Sequence, residues 1–275
     1  MPLTADKLAF CSWSTQPNCP KCLINSASEI GLNRVQLHLD PVALELDWAN
    51  AKQQLDDAGI AVISGMFTPI GEDYTTPATI KVTGGVVPDE HWDNNVENFR
   101  KVAEAAKQFA LPSVSLHPGF IAEDDQAVHD RVADRLKQLA AILQETAGAA
   151  LLLETGQETA ESLGRFLDHA NDPNLGVNFD PANMILYGMG DPIAAMKHLL
   201  PHIRQVHLKD ATSPPEPGAW GAEVAVGTGE VNWDAFFGVL NDANYEGDMV
   251  IEREAGDDRI GDIKQAAVYA PQFFE

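Results

Sequence analysis

Apolar and β-branched residues recur along the chain in short runs that end in a polar residue, and each run is followed by an amphipathic stretch with helical spacing. The runs predict strands over residues 7–13, 34–39, 60–67, 113–117, 149–154, 175–180, 203–209 and 248–254. The stretches between them predict helices over 43–58, 94–109, 124–146, 159–170, 191–200, 232–244 and 258–274, with a further helix near 22–30. Alternating strands and helices specify a parallel sheet with crossover helices, an α/β architecture. No linker or Pro/Gly/Ser-rich break divides the pattern, so residues 1–275 are expected to form one domain, a single (β/α)8 barrel. An open, doubly wound sheet is the alternative. Its glycine fingerprint is missing: no GxGxxG follows the first run and no GxxxxGKS/T occurs, which removes the usual phosphate-loop routes to nucleotide binding.

Two connections are too long for plain turns. Residues 68–93 carry Pro69, Gly71, Pro77, Gly84, Gly85 and Pro88, and residues 210–231 carry Pro214, Pro215, Pro217 and Trp220. Both follow strands, so in a barrel they lie on the carboxyl face, where such loops build or cover an active site.

Composition narrows the partners. With 45% apolar residues the chain can fill a barrel core, and 18 Lys+Arg against 41 Asp+Glu leave a formal net charge of −23. A surface that negative repels phosphate backbones and anionic lipid heads, so nucleic acid and membranes are not expected partners. Solubility alone would select the same acidity, so the charge excludes partners without naming one. No run reaches the ~18 apolar residues of a membrane span, and MPLTADKLAF lacks the basic and apolar regions of a secretory signal, so a cytoplasmic location is expected. Cys11, Cys19 and Cys22 do not make a disulfide framework. Cys19-Pro-Lys-Cys22 has CxxC spacing but no partner pair for a structural zinc, and reads as small residues at a helix start.

Chemistry emerges when the strand ends are read together. The fifth run closes on Glu154, the sixth on Asp180, the seventh carries His207, and the eighth carries Glu252. A carboxylate that ends a buried strand is costly unless it is paired or coordinates a cation. Singly, each has a plain explanation: a strand-end acid caps the next helix or pairs with Lys, and a strand His hydrogen-bonds within the core. The spacings say more. Asp180 follows Glu154 by 26 residues and His207 follows Asp180 by 27, one βα unit each, and Glu252 follows His207 by 45, one unit plus a long loop. Three carboxylates and one imidazole at one depth suit one divalent metal ion, Mn2+ or Mg2+ first, with Co2+ or Zn2+ also compatible.

The segments LLLETGQE, VNFDPANMILYG, VHLKDA, VGTGEVNW and IEREAGD resemble the xylose isomerase-like TIM barrels grouped as sugar phosphate isomerases/epimerases. The resemblance spans nearly the whole chain and is densest from His117 to Asp257. It implies a single TIM barrel in which Glu154, Asp180, His207 and Glu252 bind one divalent metal, the set already found from the strand ends. It further implies Glu154 and Glu252 as the catalytic acid/base pair, moving a proton beside a carbonyl through a metal-bound enediolate. Asn183 stands where the ketose epimerases of this group carry a substrate-contacting His, which weakens the case for a free ketose. The endonuclease branch needs further ligands, and the third run ends Gly65-Met66-Phe67 without a His.

Other residues near the strand ends are candidates for substrate binding. His117 closes the fourth run, with core packing as its alternative. Lys209 follows His207 on the same face, where it faces substrate or pairs with Asp210 or Glu252. Asn183 and Gln157 lie beside the same rim, with Arg253, Glu223 and Glu254 near them, and Trp13 and Trp220 offer apolar walls for a sugar. His38 is ambiguous between core and pocket, and His91, His129, His169, His198 and His202 are expected at the surface. Three functions fit. The first is a metal-dependent keto-sugar isomerase or epimerase. The second is a lyase or dehydratase that performs β-elimination on a keto-glycoside or inosose. The third is a non-catalytic barrel that binds a sugar or a partner, and the intact four-residue set argues against it. A homo-oligomer, dimer or tetramer, is implied by the family alone.

Overall fold

The computed structural model describes residues 3–121, 125–216 and 218–274. Strands β1 (Leu8–Cys11), β2 (Arg34–His38), β3 (Ala61–Met66), β4 (Ser113–Leu116), β5 (Ala150–Glu154), β6 (Leu175–Phe179) and β7 (Ile203–Leu208) follow one another in parallel. Two short strands, β8 (Asp210–Thr212) and β9 (Ala222–Val224), form an antiparallel hairpin, and β10 (Met249–Ile251) returns to close the barrel between β7 and β1. The expected (β/α)8 barrel is therefore the observed fold, and no helix among the described residues is long and apolar enough to cross a membrane.

The apolar core is divided in two. The larger part lies between strands and helices, where strand residues such as Leu151 and Leu153 meet helical faces. Inside the barrel Ala9, Cys11, Ile63 and Val250 form a small apolar cluster. Buried polar residues share that interior: Gln36 bonds Ser115 Oγ, and Gln205 bonds Asn178. Small strand residues thus leave room for polar side chains beneath the carboxyl face.

Most helices begin at their own capping residue. Thr159, Asp191, Asn232 and Asp258 each accept a backbone N–H of the first turn. Asp125 does the same for Gln126–Ala147, and the expected start of that helix at Asp124 lies outside the described residues, as does Pro217. Cys19 is likewise a cap: its Sγ accepts from Cys22 N at 3.2 Å and the helix Pro20–Ile30 follows.

The pattern misled in three places. The helix expected over 43–58 is broken into Leu39–Leu44, a 3-10 turn Leu46–Trp48 and Ala51–Asp57. Asp47 and Asn50, poor helix-interior residues, sit at the breaks, and Trp48 is buried by the turn. The connection 68–93 contains a short helix, Pro77–Thr83, started by a reciprocal Thr76–Thr79 capping box. A further helix, Pro181–Leu186, starts directly after β6 at Asp180.

Candidate metal centre and substrate cavity

Four neighbouring strands, β5, β6, β7 and β10, carry Glu154, Asp180, His207 and Glu252 to one buried point at the carboxyl ends, with one ligand atom of each within 4.8 Å of the others. His207 Nδ1 lies 3.1 Å from Glu252 Oε2, 3.6 Å from Asp180 Oδ2 and 3.6 Å from Glu154 Oε1. The close approaches are not aligned as hydrogen bonds: His207 Nδ1, Asp180 Oδ2 and Glu252 Oε2 are all buried and unpartnered. Buried polar atoms are almost always satisfied, so these three atoms facing one point, with Lys209 Nζ 3.1 Å from Glu252 Oε2, form a cluster that could hold a cation. The donor set, three carboxylates and one imidazole, fits a divalent ion.

The other atoms of these side chains are held from behind. Gln36 donates its amide to Ser115 Oγ at 2.9 Å, which turns its Oε1 to His207 Nε2 at 2.8 Å. Asn178 Nδ2 also lies 3.0 Å from Nε2, and a neutral His207 that donated Nε2–H to Gln36 would present its Nδ1 lone pair to the carboxylates, the arrangement that orients a ligating His. Asp180 Oδ1 accepts from Ala182 N at 2.8 Å and Asn183 N at 3.0 Å, capping the helix Pro181–Leu186. One oxygen of Asp180 is thus the helix cap and the other faces the cluster. Trp13 Nε1 donates to Glu252 Oε1 at 2.6 Å, and Asn183 Nδ2 donates to Glu154 Oε1 at 3.1 Å.

Charge in the cluster is unbalanced. Burial opposes a proton on His207, yet Cys11, Glu252 and Glu154 hold the imidazole well above its ordinary pKa. Burial lifts the Asp180 carboxyl to about 6. Burial opposes the charge on Lys209 too, but Glu252, Glu254 and Asp180 hold its ammonium well above the usual range. Lys209 Nζ lies 2.9 Å from Glu254 Oε2 and 3.1 Å from Glu252 Oε2. Its alternative partner, Asp210, turns the other way and accepts from Gly227 N, Gly229 N, Val231 N and Trp233 Nε1, tying down the second long loop.

Above the cluster opens a cavity of about 710 Å³. Of the residues expected from sequence, Trp13, His117, Asn183, Lys209, Trp220 and Glu252 line it, and His38 joins them. Glu154, Asp180 and His207 lie beneath its floor. Gln157 is buried and absent from the lining, with neither amide atom hydrogen-bonded. Arg253 turns aside to Asp262 and Glu223 at 2.7 and 2.8 Å, whereas Glu223 and Glu254 do line the cavity. Cys11, which sequence grouped with the other cysteines, is buried 3.8 Å from His207 Nε2.

Sequence reasoning missed Glu72, Tyr74 and Tyr187. Glu72 and Tyr74 come from the first long loop, where Gly85 N donates to Glu72 Oε1 at 2.9 Å. The second loop meets the first: Trp220 Nε1 donates to Tyr74 O at 3.2 Å and packs edge-on against Tyr187, with ring centroids 4.9 Å apart. Loop length was the one signal available for the first two, since neither stands in a periodic pattern.

A closed parallel barrel with three carboxylates and an imidazole converging at its carboxyl face defines a barrel built for chemistry at that end. The chain belongs to the xylose isomerase-like TIM barrel family, whose sequence profile matches residues 24–273. In solved structures it is similar to a xylose isomerase domain protein from Planctomyces limnophilus, at 31% identity and a TM-score of 0.85, covering 97% of this chain and 95% of that one. It shares the fold of a 3-keto-D-glucoside 4-epimerase from E. coli at 14% identity and a TM-score of 0.73, with 97% and 99% covered. Among curated proteins it is similar to an inosose dehydratase of Bacillus cereus, 25% identical over 162 residues, 53% of this chain and 53% of that protein. The chain thus spans about half the length of the curated relatives it matches. Epimerases and dehydratases both stand among the proteins it is similar to.

Proposed function

We propose that the protein is a divalent-metal-dependent isomerase or epimerase of an uncharged keto-sugar, with Glu154, Asp180, His207 and Glu252 as ligands. The observation that carries this reading is the convergence of Glu154, Asp180, His207 and Glu252 at one buried point, where Asp180 Oδ2, His207 Nδ1 and Glu252 Oε2 make no hydrogen bond. A divalent ion there supplies Lewis-acid polarisation of a substrate carbonyl, which acidifies the adjacent C–H. Glu154 and Glu252 are the acid/base pair: one takes the proton from carbon and the other returns it. General acid–base transfer of this kind contributes about 10²–10⁴-fold. Trp13 holds Glu252, and Asn178 and Asn183 hold Glu154, so both carboxylates are oriented before substrate arrives.

The cavity supports an uncharged substrate. Lys209 is the only Lys or Arg lining it among the described residues, and Glu252 and Glu254 already engage it. A substrate phosphate would meet Glu72, Glu223 and Glu254 with no free cation among those residues to receive it. Trp13, Tyr74, Tyr187 and Trp220 offer aromatic faces for sugar C–H groups.

A second reading is β-elimination by the same residues, as a dehydratase or lyase of an inosose or keto-glycoside. His117 favours it: Nε2 lies 3.6 Å from Glu154 Oε1 and Nδ1 is unpartnered, an imidazole placed to hand a proton to a departing oxygen. The inosose dehydratase relatives support the same reading.

Metal analysis of the purified protein beside Glu154→Gln and His207→Ala tests the site. Wild type is expected to hold about one divalent ion per chain, and both variants to lose it. A wild type that stays metal-free after incubation with Mn2+, Mg2+, Co2+ and Zn2+ overturns the mechanism. Incubation of ketoses and keto-glycosides in deuterated water then separates the readings. Solvent deuterium incorporated without loss of water indicates an isomerase, and an unsaturated product indicates a lyase.

A further inference from the structure

A second cavity of about 410 Å³ adjoins the first, and Trp13, His38 and Glu254 line both. Trp13 is the partition. Its Nε1 is fixed to Glu252 on the reaction side, while the indole also walls the annex. Trp48, placed by the 3-10 turn that interrupts the helix expected over 43–58, lines it as well. A departure from the local pattern therefore builds this chamber, as is common where a chain serves a ligand.

Of the polar groups lining the annex, Glu254 pairs with Lys209, His38 with Asp40, and Ser12 Oγ accepts from His38 N, whereas Arg259 and Gln16 are free among the described residues. Arg259 lines it and forms no ion pair or side-chain hydrogen bond among the described residues. Gln16 closes a 3-10 turn, Ser12–Thr15, in the left-handed conformation (φ 48°, ψ 49°), and its side chain, likewise without a hydrogen bond among the described residues, lines the same chamber. Two indoles with an amide, a guanidinium and a carboxylate make a lining of apolar faces and hydroxyl partners. The negative faces of the indoles suit the C–H bonds of a pyranose, and the polar groups suit its hydroxyls. An entirely apolar group would strand Arg259 and Gln16, and an anion would face Glu254.

We propose that the annex is a second sugar subsite, so that the substrate is a keto-disaccharide or similar glycoside whose oxidised ring occupies the main cavity and whose neutral partner ring lies between Trp13 and Trp48. This rests on the keto-sugar reading above and adds the class of substrate. The main cavity alone is within the range of about 300–1,000 Å³ that encloses a drug-sized ligand, and the annex extends it past a single ring.

The test is calorimetric binding of unreactive sugars to the metal-loaded protein: glucose against cellobiose, maltose and trehalose. At least one disaccharide is expected to bind about tenfold more tightly than glucose. Arg259→Ala and Gln16→Ala, both outside the reaction chamber, are each expected to remove most of that preference while glucose affinity stays within about twofold. Three results overturn the proposal: no disaccharide binds more tightly than glucose, both variants weaken glucose and disaccharide alike, or glucose 6-phosphate is preferred to every neutral disaccharide. Metal content and solvent-deuterium exchange on the same samples report the keto-sugar reading separately. Failure there with the disaccharide preference intact points to the reaction, and the reverse points to the annex.

Discussion

Trp13 donates its indole N–H to Glu252 Oε1 at 2.6 Å, joining residues 239 positions apart at the seam where β1 meets β10. The bond fixes one oxygen of a buried carboxylate and leaves the other facing the cluster. Trp13→Phe keeps an aromatic wall and deletes the donor. A hydrogen bond to a charged group is worth about 1.5–3 kcal/mol. The expected result is a kcat lower by about 10- to 100-fold with metal content unchanged, measured by steady-state kinetics beside metal analysis. A full loss of bound metal would instead make the bond structural.

Gln36 does not line the cavity, yet its Oε1 lies 2.8 Å from His207 Nε2. Gln36→Leu is expected to free the imidazole and weaken metal binding about 10- to 100-fold, the usual effect of removing a partner behind a ligating His. Competition with a chelator of known affinity reads the change. Unaltered affinity would mean that packing alone holds the ring.

Glu158 is a buried carboxyl whose pKa burial pushes up to about 8, with Ile121 N at 3.0 Å as its donor. In the unfolded chain it titrates near 4.5. Between those values the folded protein keeps a proton that the unfolded chain has lost, so stability falls as pH rises through that window and the penalty is complete above about 8. Glu158→Gln cannot titrate. The variant is expected to match wild type near pH 5 and to exceed it by several kcal/mol near pH 9, read from denaturant midpoints. Parallel pH profiles for the two proteins would show that the carboxyl is charged in the fold.

The Asp210 side chain accepts from Ala211 N, Gly227 N, Gly229 N and Val231 N of the second long loop and from Trp233 Nε1 just after it, at 2.9 to 3.1 Å. A Cβ added at Gly229 would lie 2.2 Å from Asp210 Oδ1, so that glycine is required by the close approach. Asp210→Ala leaves buried N–H groups unsatisfied and is expected to cost on the order of 3 kcal/mol. The loop carries Trp220 and Glu223 into the cavity, so KM should rise more than kcat falls. Thermal melts and kinetics together check both parts.

The convergence of Glu154, Asp180, His207 and Glu252 was readable because apolar strands that end in charge are anomalous, and four anomalies at one depth point to one shared place. Asp180 also shows how two plain readings coexist: it is a helix cap through Oδ1 and a cluster member through Oδ2. Glu72 and Tyr74 were not readable, since their positions depend on Gly85 and Trp220, which reach them only in the folded chain. The same holds for Trp48. Its spacing fits a continuous helix, and only burial of its indole against the rest of the barrel selects the turn.

The closing strand has a consequence for synthesis. β10 enters between β7 and β1 and is followed at once by Glu252, the last of the four cluster residues. A nascent chain that has emerged only as far as β7 owns Glu154, Asp180 and His207 but has an open seam where Glu252 and its tether to Trp13 belong. Assembly of the cluster is therefore a late event, made when the first and last strands of the barrel meet, and the ribosome has delivered everything through Glu252 before the four side chains can converge.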